Sequence, residues 1–395
     1  MFSISDFKVE IETTDISAMV TSMNLYESIH GNVKGTIHVE DKLNFFDTFF
    51  TKGMTAVKIS YAYFGKRTDI DLYADGVIDQ VITKTGKSYN IVLSSLLNLN
   101  AAVTRICNVY SGTSNDILAK IWLETNGTQP LVFDSTTTSN GKYVVPNISS
   151  HECMRKIVNA AYDVNNTGMF LYQRLSDHGA TRFTSIHDMI FNPFSPLGVP
   201  GVDGAVPFII RNEEVTLGTT LAVHGMIGTA SSFTLKDYNK DFIKKLAGGL
   251  WGKKVTEIAL DETTNKVHSV IETTGIERTK FSLSKNLYSN IILADGPAGK
   301  ETSYVQKSLF TPDNEVSQES ITNMKFRLFN TNLHVDNVIA IPDLGCGMAI
   351  LVDQGGNTVS ATKTDGAYLV ANINHMYVMN DGEMKYSQNI GLVRE

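Results

Sequence analysis

The chain has 395 residues, of which 42% are hydrophobic and 19% charged, with a formal net charge of −7 at pH 7. That length exceeds a single hydrophobic core and calls for roughly two to four domains in a folded globular protein. No apolar run approaches the ~18 residues that span a bilayer, and no segment carries the excess of Lys and Arg that stable nucleic-acid binding requires.

From the start, Met1-Phe2-Ser3-Ile4-Ser5-Asp6 lacks the basic region and apolar core of a signal peptide, which predicts a chain made and kept in the cytosol or assembled there into something larger. Residues 1–105 alternate apolar and polar positions in short runs: Val33 to Val39, Ala56 to Tyr63, Tyr73 to Ile82 and Tyr89 to Leu97 read as strands. Period-two patterning with tight turns predicts an antiparallel barrel or sandwich. The aromatic stretch Asn44 to Phe50 interrupts it and reads as a plug of that core.

The period changes from residue 111. Ile117, Leu118, Ile121 and Trp122 form one apolar stripe of a helix over Asn115 to Glu124, which Asn126-Gly127 ends. Ser149-Ser150-His151-Glu152 is a capping box that opens a second helix with a buried face at Cys153, Ile157 and Ala160. A strand follows from Met169, so 106–205 reads as an α+β domain. Pro193, Pro196, Pro200 and Pro207 stiffen a long connection. Ile209-Ile210 and Thr219 to Val223 resume strand patterning, and Lys236 to Lys254 reads as a lysine-rich helix. Residues 236–320 form an inserted mixed region whose clearest apolar run is Tyr304 to Phe310. The β pattern returns at Met324 to Leu328, and with 206–235 the stretch 321–395 makes a second β domain.

That second β domain repeats the first. Gly347 to Val352, a loop, Tyr368 to Met379, an Asn380-Asp381-Gly382 turn and Met384 to Leu392 stand in the order of Gly53 to Ile59, a loop, Tyr73 to Ile82, a turn with Gly86 and Tyr89 to Leu97, at a nearly constant displacement. Asp381-Gly382 is a strong two-residue hairpin signal because both positions tolerate positive φ. In the last strand, Gln388 interrupts an apolar face made by Met384, Tyr386, Ile390 and Leu392, and is expected at a polar lumen or a subunit contact.

Catalytic and ligand motifs fail on inspection. Gly345-Cys346-Gly347 lacks the third glycine of a dinucleotide fingerprint and leads into a strand. Gly248 to Lys254 has neither the first glycine nor the Ser/Thr of a phosphate loop. Cys107, Cys153 and Cys346 are odd in number and widely spaced, which fits buried thiols; the nine histidines are scattered, so no metal, cofactor or catalytic residue is assigned. Asp69 and Asp71 could pair for glycoside hydrolysis, but read better as a solvated strand face.

Three stretches carry a family resemblance. Asn24 to Ile29 leading to Gly35 to Asp41, then Ser149 to Ala161 followed by Gly168 to Arg174, and finally Gly366 to His375 with Tyr386 to Leu392, together resemble the central baseplate hub proteins of T-even-type contractile-tailed phages. These are kin to phage late control D proteins and to the N-terminal part of type VI secretion spike proteins. The resemblance implies a β-rich α+β fold with two similar antiparallel β-barrel (tube) domains and inserted α+β domains. It implies a non-enzymatic virion protein, assembled in the host cytoplasm as a homotrimer. Its partners would be the tail tube or a tube-initiator protein, the central spike and the baseplate wedges, around an axial channel that DNA passes without stable binding. Three copies of two units give the six positions that such a tube needs. The expected interface residues lie in the two repeats: Gly53, Met54, Val57, Ile59, Tyr73 and Tyr89 in the first, and Gly347, Met348, Ile350, Tyr368, His375, Tyr386 and Gln388 in the second. The alternative is a tail protein that binds host-surface carbohydrate or degrades the cell wall.

Overall fold

Alternation of apolar and polar side chains commits most of the chain to strands, because each strand then buries one face. The computed structural model describes residues 2–43, 45, 54–63, 65–84, 86–125, 130–137, 140–164, 167–191, 208–212, 227–238, 252–259, 269–274, 288–294, 331–338, 341, 343–354 and 365–394. The first region holds β1 (Phe2–Ser3), β2 (Ser5–Ile11), β3 (Thr14–Asp15), β4 (Val20–Ser28), β5 (Gly31–Asp41), β6 (Thr55–Tyr63), β7 (Lys66–Thr83) and β8 (Gly86–Ser94). Ser95 then caps α1 (Leu96–Val103), so the apolar run begun at Tyr89 ends three residues earlier than its pattern suggests. The middle region continues with β9 (Arg105–Thr113), α2 (Ser114–Glu124), β10 (Leu131–Phe133), β11 (Asn140–Ser149), α3 (Ser150–Ala160), β12 (Met169–Arg174), β13 (Ala180–Ser185) and α4 (Ile186–Phe191). After it come β14 (Phe208–Asn212), β15 (Ile227–Ala230), β16 (Ser232–Tyr238), β17 (Gly252–Ala259), β18 (Ser269–Thr274), β19 (Tyr288–Ala294), β20 (Thr331–Val338), β21 (Ala349–Asp353), β22 (Gly366–Asn380) and β23 (Glu383–Arg394).

The two repeats have one topology. In the first, strands neighbour one another in the order β4-β5-β8-β7-β6; in the second the order is β16-β20-β23-β22-β21, and every one of these pairs is antiparallel. Even their irregularities coincide. The long strand of each unit bulges against its hairpin partner at the matching place, between Ala74 and Gly76 in β7 and between Val370 and Asn372 in β22. A bulge inserts one residue and turns the strand, so its recurrence at an equivalent position marks a true structural duplication.

The units are joined through β4 and β22, which pair antiparallel from Ser28 opposite Asn372 to Ser22 opposite Val378. All of this belongs to one 15-stranded sheet, in which only β14 with β15 and β14 with β21 run parallel. Two closed barrels are therefore not what the described residues form: one sheet runs through both units and curves over two cores. The first core is built on β2 and β4–β8 and includes Tyr377 and Tyr386 from the tip of the second unit's hairpin. The second is built on β20–β23, with Phe170, Tyr172, Ile186 and Met189 from the middle region.

A third core fills the middle region, where α1, α2 and α3 pack Leu97, Ile117, Trp122, Cys153 and Ile157 against the β9–β11 pair. The capping reading of α3 is half realised: the Ser149 hydroxyl accepts the Glu152 N–H, but the Glu152 carboxylate turns to Lys156 at 2.7 Å instead. The reciprocal box is found on α2, between Thr113 and Asp116. A lysine-rich helix from Lys236 to Lys254 is contradicted at both ends, since β16 extends to Tyr238 and β17 begins at Gly252; a strand's hydrogen-bond ladder overrides the helical spacing there. Residues 239–251 lie outside the described residues, as do Asn44, Phe46–Phe50, Thr219–Val223, Tyr304–Phe310 and Met324–Leu328. Of the aromatic plug, Phe45 packs against the first core, and its N–H is accepted by Asp41 Oδ1 at 3.0 Å.

Candidate functional site: a polar sheet face and the junction behind it

The five strands β23-β22-β4-β5-β8 cross the boundary between the units without a break, and their register defines two faces. On one face, residues stand in rows: Asn389-Asn374-Tyr26-Lys34, Ser387-Met376-Asn24-Thr36 and Lys385-Val378-Ser22-His38-Asn90. This surface is rich in Asn, Ser and Thr, and Lys34, Lys385, Glu40 and Glu383 are its charges. Some of its polar groups satisfy one another, as in His38 Nδ1 to Asn90 Oδ1 at 2.8 Å and Asn90 Nδ2 to Asp79 at 3.0 Å. The opposite face is apolar and buried, with Tyr386, Tyr377, Met23, Ile37 and Ile91 in a single row.

Behind that row the junction is locked by aromatic and polar contacts. Tyr377 stacks on Tyr386 with centroids 4.8 Å apart, and its hydroxyl donates to Tyr61 of β6 at 2.8 Å; Tyr63 meets Tyr386 edge-on at 5.1 Å. His375 Nδ1 lies 2.7 Å from the Tyr386 hydroxyl, which also accepts from Gln388 Nε2 at 2.8 Å. Burial pushes the Tyr377 and Tyr386 hydroxyls well above their ordinary pKa, so both remain neutral donors.

Glu27 of β4 lies where the two units and the middle region meet. Its carboxylate, completely buried, accepts the Leu175 N–H at 2.8 Å from the middle region and the Cys346 N–H at 3.1 Å from the second unit, with His375 Nε2 at 3.7 Å. Arg174, also buried, donates twice to the Cys346 carbonyl, at 3.1 and 2.8 Å. Gln173 Oε1 accepts the Val33 N–H of β5 at 3.1 Å. Gly347, at φ +77, must be glycine: a Cβ there would collide with the Tyr172 ring. The middle region is thus bolted to both units by charge-assisted bonds that a buried carboxylate and guanidinium make strong.

Of the expected interface residues, Val57, Ile59, Tyr89, Gly347, Met348, Ile350, Tyr368, His375, Tyr386 and Gln388 are buried within the chain itself, where they pack its cores. Gln388 in particular is fully buried, and its amide donates inward to Tyr386 and to the Ile341 carbonyl. Met54 is exposed, Tyr73 is half-buried, and Gly53 lies outside the described residues. The residues that sequence reasoning missed are Glu27 and Arg174, single charges inside apolar runs, and the outward-facing Asn, Ser and Thr of β22 and β4. The polar-apolar-polar run Asn372-Ile373-Asn374 was the available signal for β22.

Two other sequence candidates have plain local settings. Burial pushes the Cys153 thiol up to about 12, which leaves no thiolate at neutral pH. Asp69 and Asp71 are exposed on β7, and Arg67 pairs with Asp69 at 3.1 Å. Among the described residues no helix is long and apolar enough to cross a membrane.

This arrangement defines a class. The chain has the fold of phage-type tail proteins: it superposes on the tail protein from Neisseria meningitidis MC58 with a TM-score of 0.58 at 8% identity, covering 100% of this chain and 97% of that one. A component of the E. coli type VI secretion system, described as structurally similar to the phage T4 tail proteins gp27 and gp5, matches with a TM-score of 0.54 at 9% identity, over 98% and 76% of the two chains. In sequence, the chain is similar to a particular protein of that class, the probable baseplate hub protein gp334 of Vibrio phage KVP40, with 27% identity over 193 residues. The matched stretch is 45% of this chain and 45% of that protein, so the likeness extends over about half of the relative's length. No protein-family model matches the chain.

Proposed function

We propose that this protein is the baseplate hub of a contractile phage tail: a non-enzymatic homotrimer that joins the tail tube to the central spike and surrounds an axial channel for DNA. One observation carries the reading. A single chain holds two units of identical topology that share one sheet, so three chains supply six similar units, matching a sixfold tube on one side and a threefold spike on the other. In this reading each unit is one partly open barrel of the ring, and the domains divide as 1–105, 106–205, 206–235 with 321–395, and the insertion 236–320.

The face of Asn, Ser and Thr across β23-β22-β4-β5-β8 is assigned to the channel. DNA is drawn to Lys and Arg through its phosphates, and a wall with few cations lets it pass without retention. Met54 and Tyr73, accessible at the first unit's rim, remain interface candidates; the middle region and the wedge proteins would meet on the outside of the ring. The test is to replace Asn24, Thr36 and Asn374 together by lysine. Particles should assemble normally but eject DNA poorly; unchanged ejection from assembled particles contradicts the assignment of this face to the channel.

A further inference from the structure

A cleft of about 240 Å³ lies at the seam between the first unit and the middle region. The connection from β4 to β5, Ile29 to Asn32, lines one side; α3 lines the other, with β12 and Leu97 of α1 between them. Spacing on α3 builds two stripes. Met154 and Val158, four apart and buried, make an apolar floor with Ile29, Met169 and Phe170. His151, Arg155 and Asn159, also four apart, form an exposed rim. On the β4–β5 side His30 stands edge-on to Phe170, with ring centroids 5.6 Å apart.

Asn32, His151, Arg155 and Asn159 make no hydrogen bond or ion pair among the described residues. The rim is also cationic. Arg155 and Lys34 of β5 both act on the His151 ring, while Glu152, the acid of α3, is engaged by Lys156 at 2.7 Å. Burial, then the charges of Arg155 and Lys34, hold the His151 imidazole below its ordinary pKa, so at pH 7 it adds an uncharged ring to the wall. In a chain of net charge −7 this is a local excess of positive charge. Size narrows the occupant further. Cofactors and drug-sized ligands fill about 300–1,000 Å³, whereas this cleft suits one large apolar side chain.

We propose that this cleft docks an acidic peptide segment of a partner protein, which sets one aromatic or leucine side chain on the floor and a neighbouring carboxylate against Arg155. An apolar anchor in a pocket ringed by polar contacts is the anatomy of a binding hot spot. The charge of the rim selects among anchors: a guanidinium binds a carboxylate through two parallel hydrogen bonds, and a basic segment is repelled. A segment held there touches both the first unit and the middle region, and so ties the partner to the seam. The inference goes beyond the hub reading and stands without it, because it concerns one chain and not the number of copies.

Saturation-transfer NMR on the full chain, observing the ligand, tests this with short peptides: acetyl-Glu-Asp-Phe-Glu-amide, the same with Ala for Phe, and the same with Lys for every acid. The expected result is transfer strongest at the Phe ring of the first peptide, with binding of the other two weaker by about tenfold or more. Arg155→Glu should weaken the first peptide by about tenfold or more as well. Gly31→Trp should abolish its binding. Gly31 lines the cleft without a positive φ, and a Cβ there meets nothing within 4 Å, so the added ring fills the opening and leaves the fold in place. Both variants should keep the parent's melting curve. Equal binding of the lysine peptide, undiminished binding by Arg155→Glu, or no binding to the folded parent overturns the proposal. Phenylbutyrate bound as tightly as the acidic peptide assigns the cleft to a small carboxylate and overturns the peptide reading. A chain that forms the trimer without binding the peptide contradicts this inference and leaves the hub reading standing. A chain that binds the peptide yet stays monomeric with its tail partners does the reverse.

Discussion

The long hairpins β7–β8 and β22–β23 are the same object in two surroundings. Both bulge at the same place and both continue one sheet, yet the outer half of β22 is covered by β4, while that of β7 pairs, among the described residues, with β8 alone. Where the neighbour is present, the inward row is Tyr377, Tyr386 and Met23, stacked and hydrogen-bonded to Tyr61. On β7, β8 and β16 the equivalent positions carry Ile82, Lys87 and the half-buried Phe233, so both tyrosines are replaced by residues without a hydroxyl. The lesson is that one topology can carry a buried junction or an exposed edge, depending on the side chains on a single strand. The buried version needs aromatics with partners for their hydroxyls.

This contrast can be broken most strongly by charge. Met23→Asp places a carboxylate in the buried row with no partner, and should cost at least about 3 kcal/mol, enough to abolish cooperative unfolding in a chemical melt. Ile82→Asp at the matching exposed position of β7 should change the stability of the chain by no more than about 0.5 kcal/mol. Equal destabilisation by the two would mean that β7 is covered within the chain.

The polar bolt ranks next. Glu27→Ala leaves the Leu175 and Cys346 N–H groups buried without an acceptor, at about 1–3 kcal/mol for each, so urea denaturation should show a loss of roughly 2–5 kcal/mol. If Glu27→Ala were as stable as the parent, the two units and the middle region would not depend on one another through this residue. Smaller again is Tyr377→Phe, which deletes one hydroxyl bond to Tyr61 and should cost about 1 kcal/mol by thermal melting, with assembly intact. The smallest is Thr113→Ala in the middle region, where loss of the α2 cap should cost about 1 kcal/mol or less and leave both hairpins untouched.

Much of this was legible in the sequence, for physical reasons. Alternation places Val57, Ile59, Ile91 and Leu93 on an inward face, and Asp381-Gly382 marks the hairpin tip that the structure shows. The duplication could be read because turns and bulges constrain glycine and spacing more than identity. What could not be read is which edges meet. Pairing of β4 with β22 joins residues more than three hundred positions apart, and nothing local in Val20–Ser28 announces that partner. For the same reason the interface candidates fall on strand and loop positions of the two repeats, most of which the folded chain buries. Glu27 escaped notice because a lone carboxylate in an apolar run looks like an exposed charge until its two N–H donors arrive from distant loops.

The central claim is that two like units in each of three chains make one pseudo-sixfold ring. Electron microscopy of the purified assembly, with its mass measured in parallel, tests it most directly. The account predicts ring-shaped particles with six similar lobes around an open centre and the mass of three chains. Six lobes with the mass of six chains, or a stable monomer in the presence of its tail partners, would contradict it.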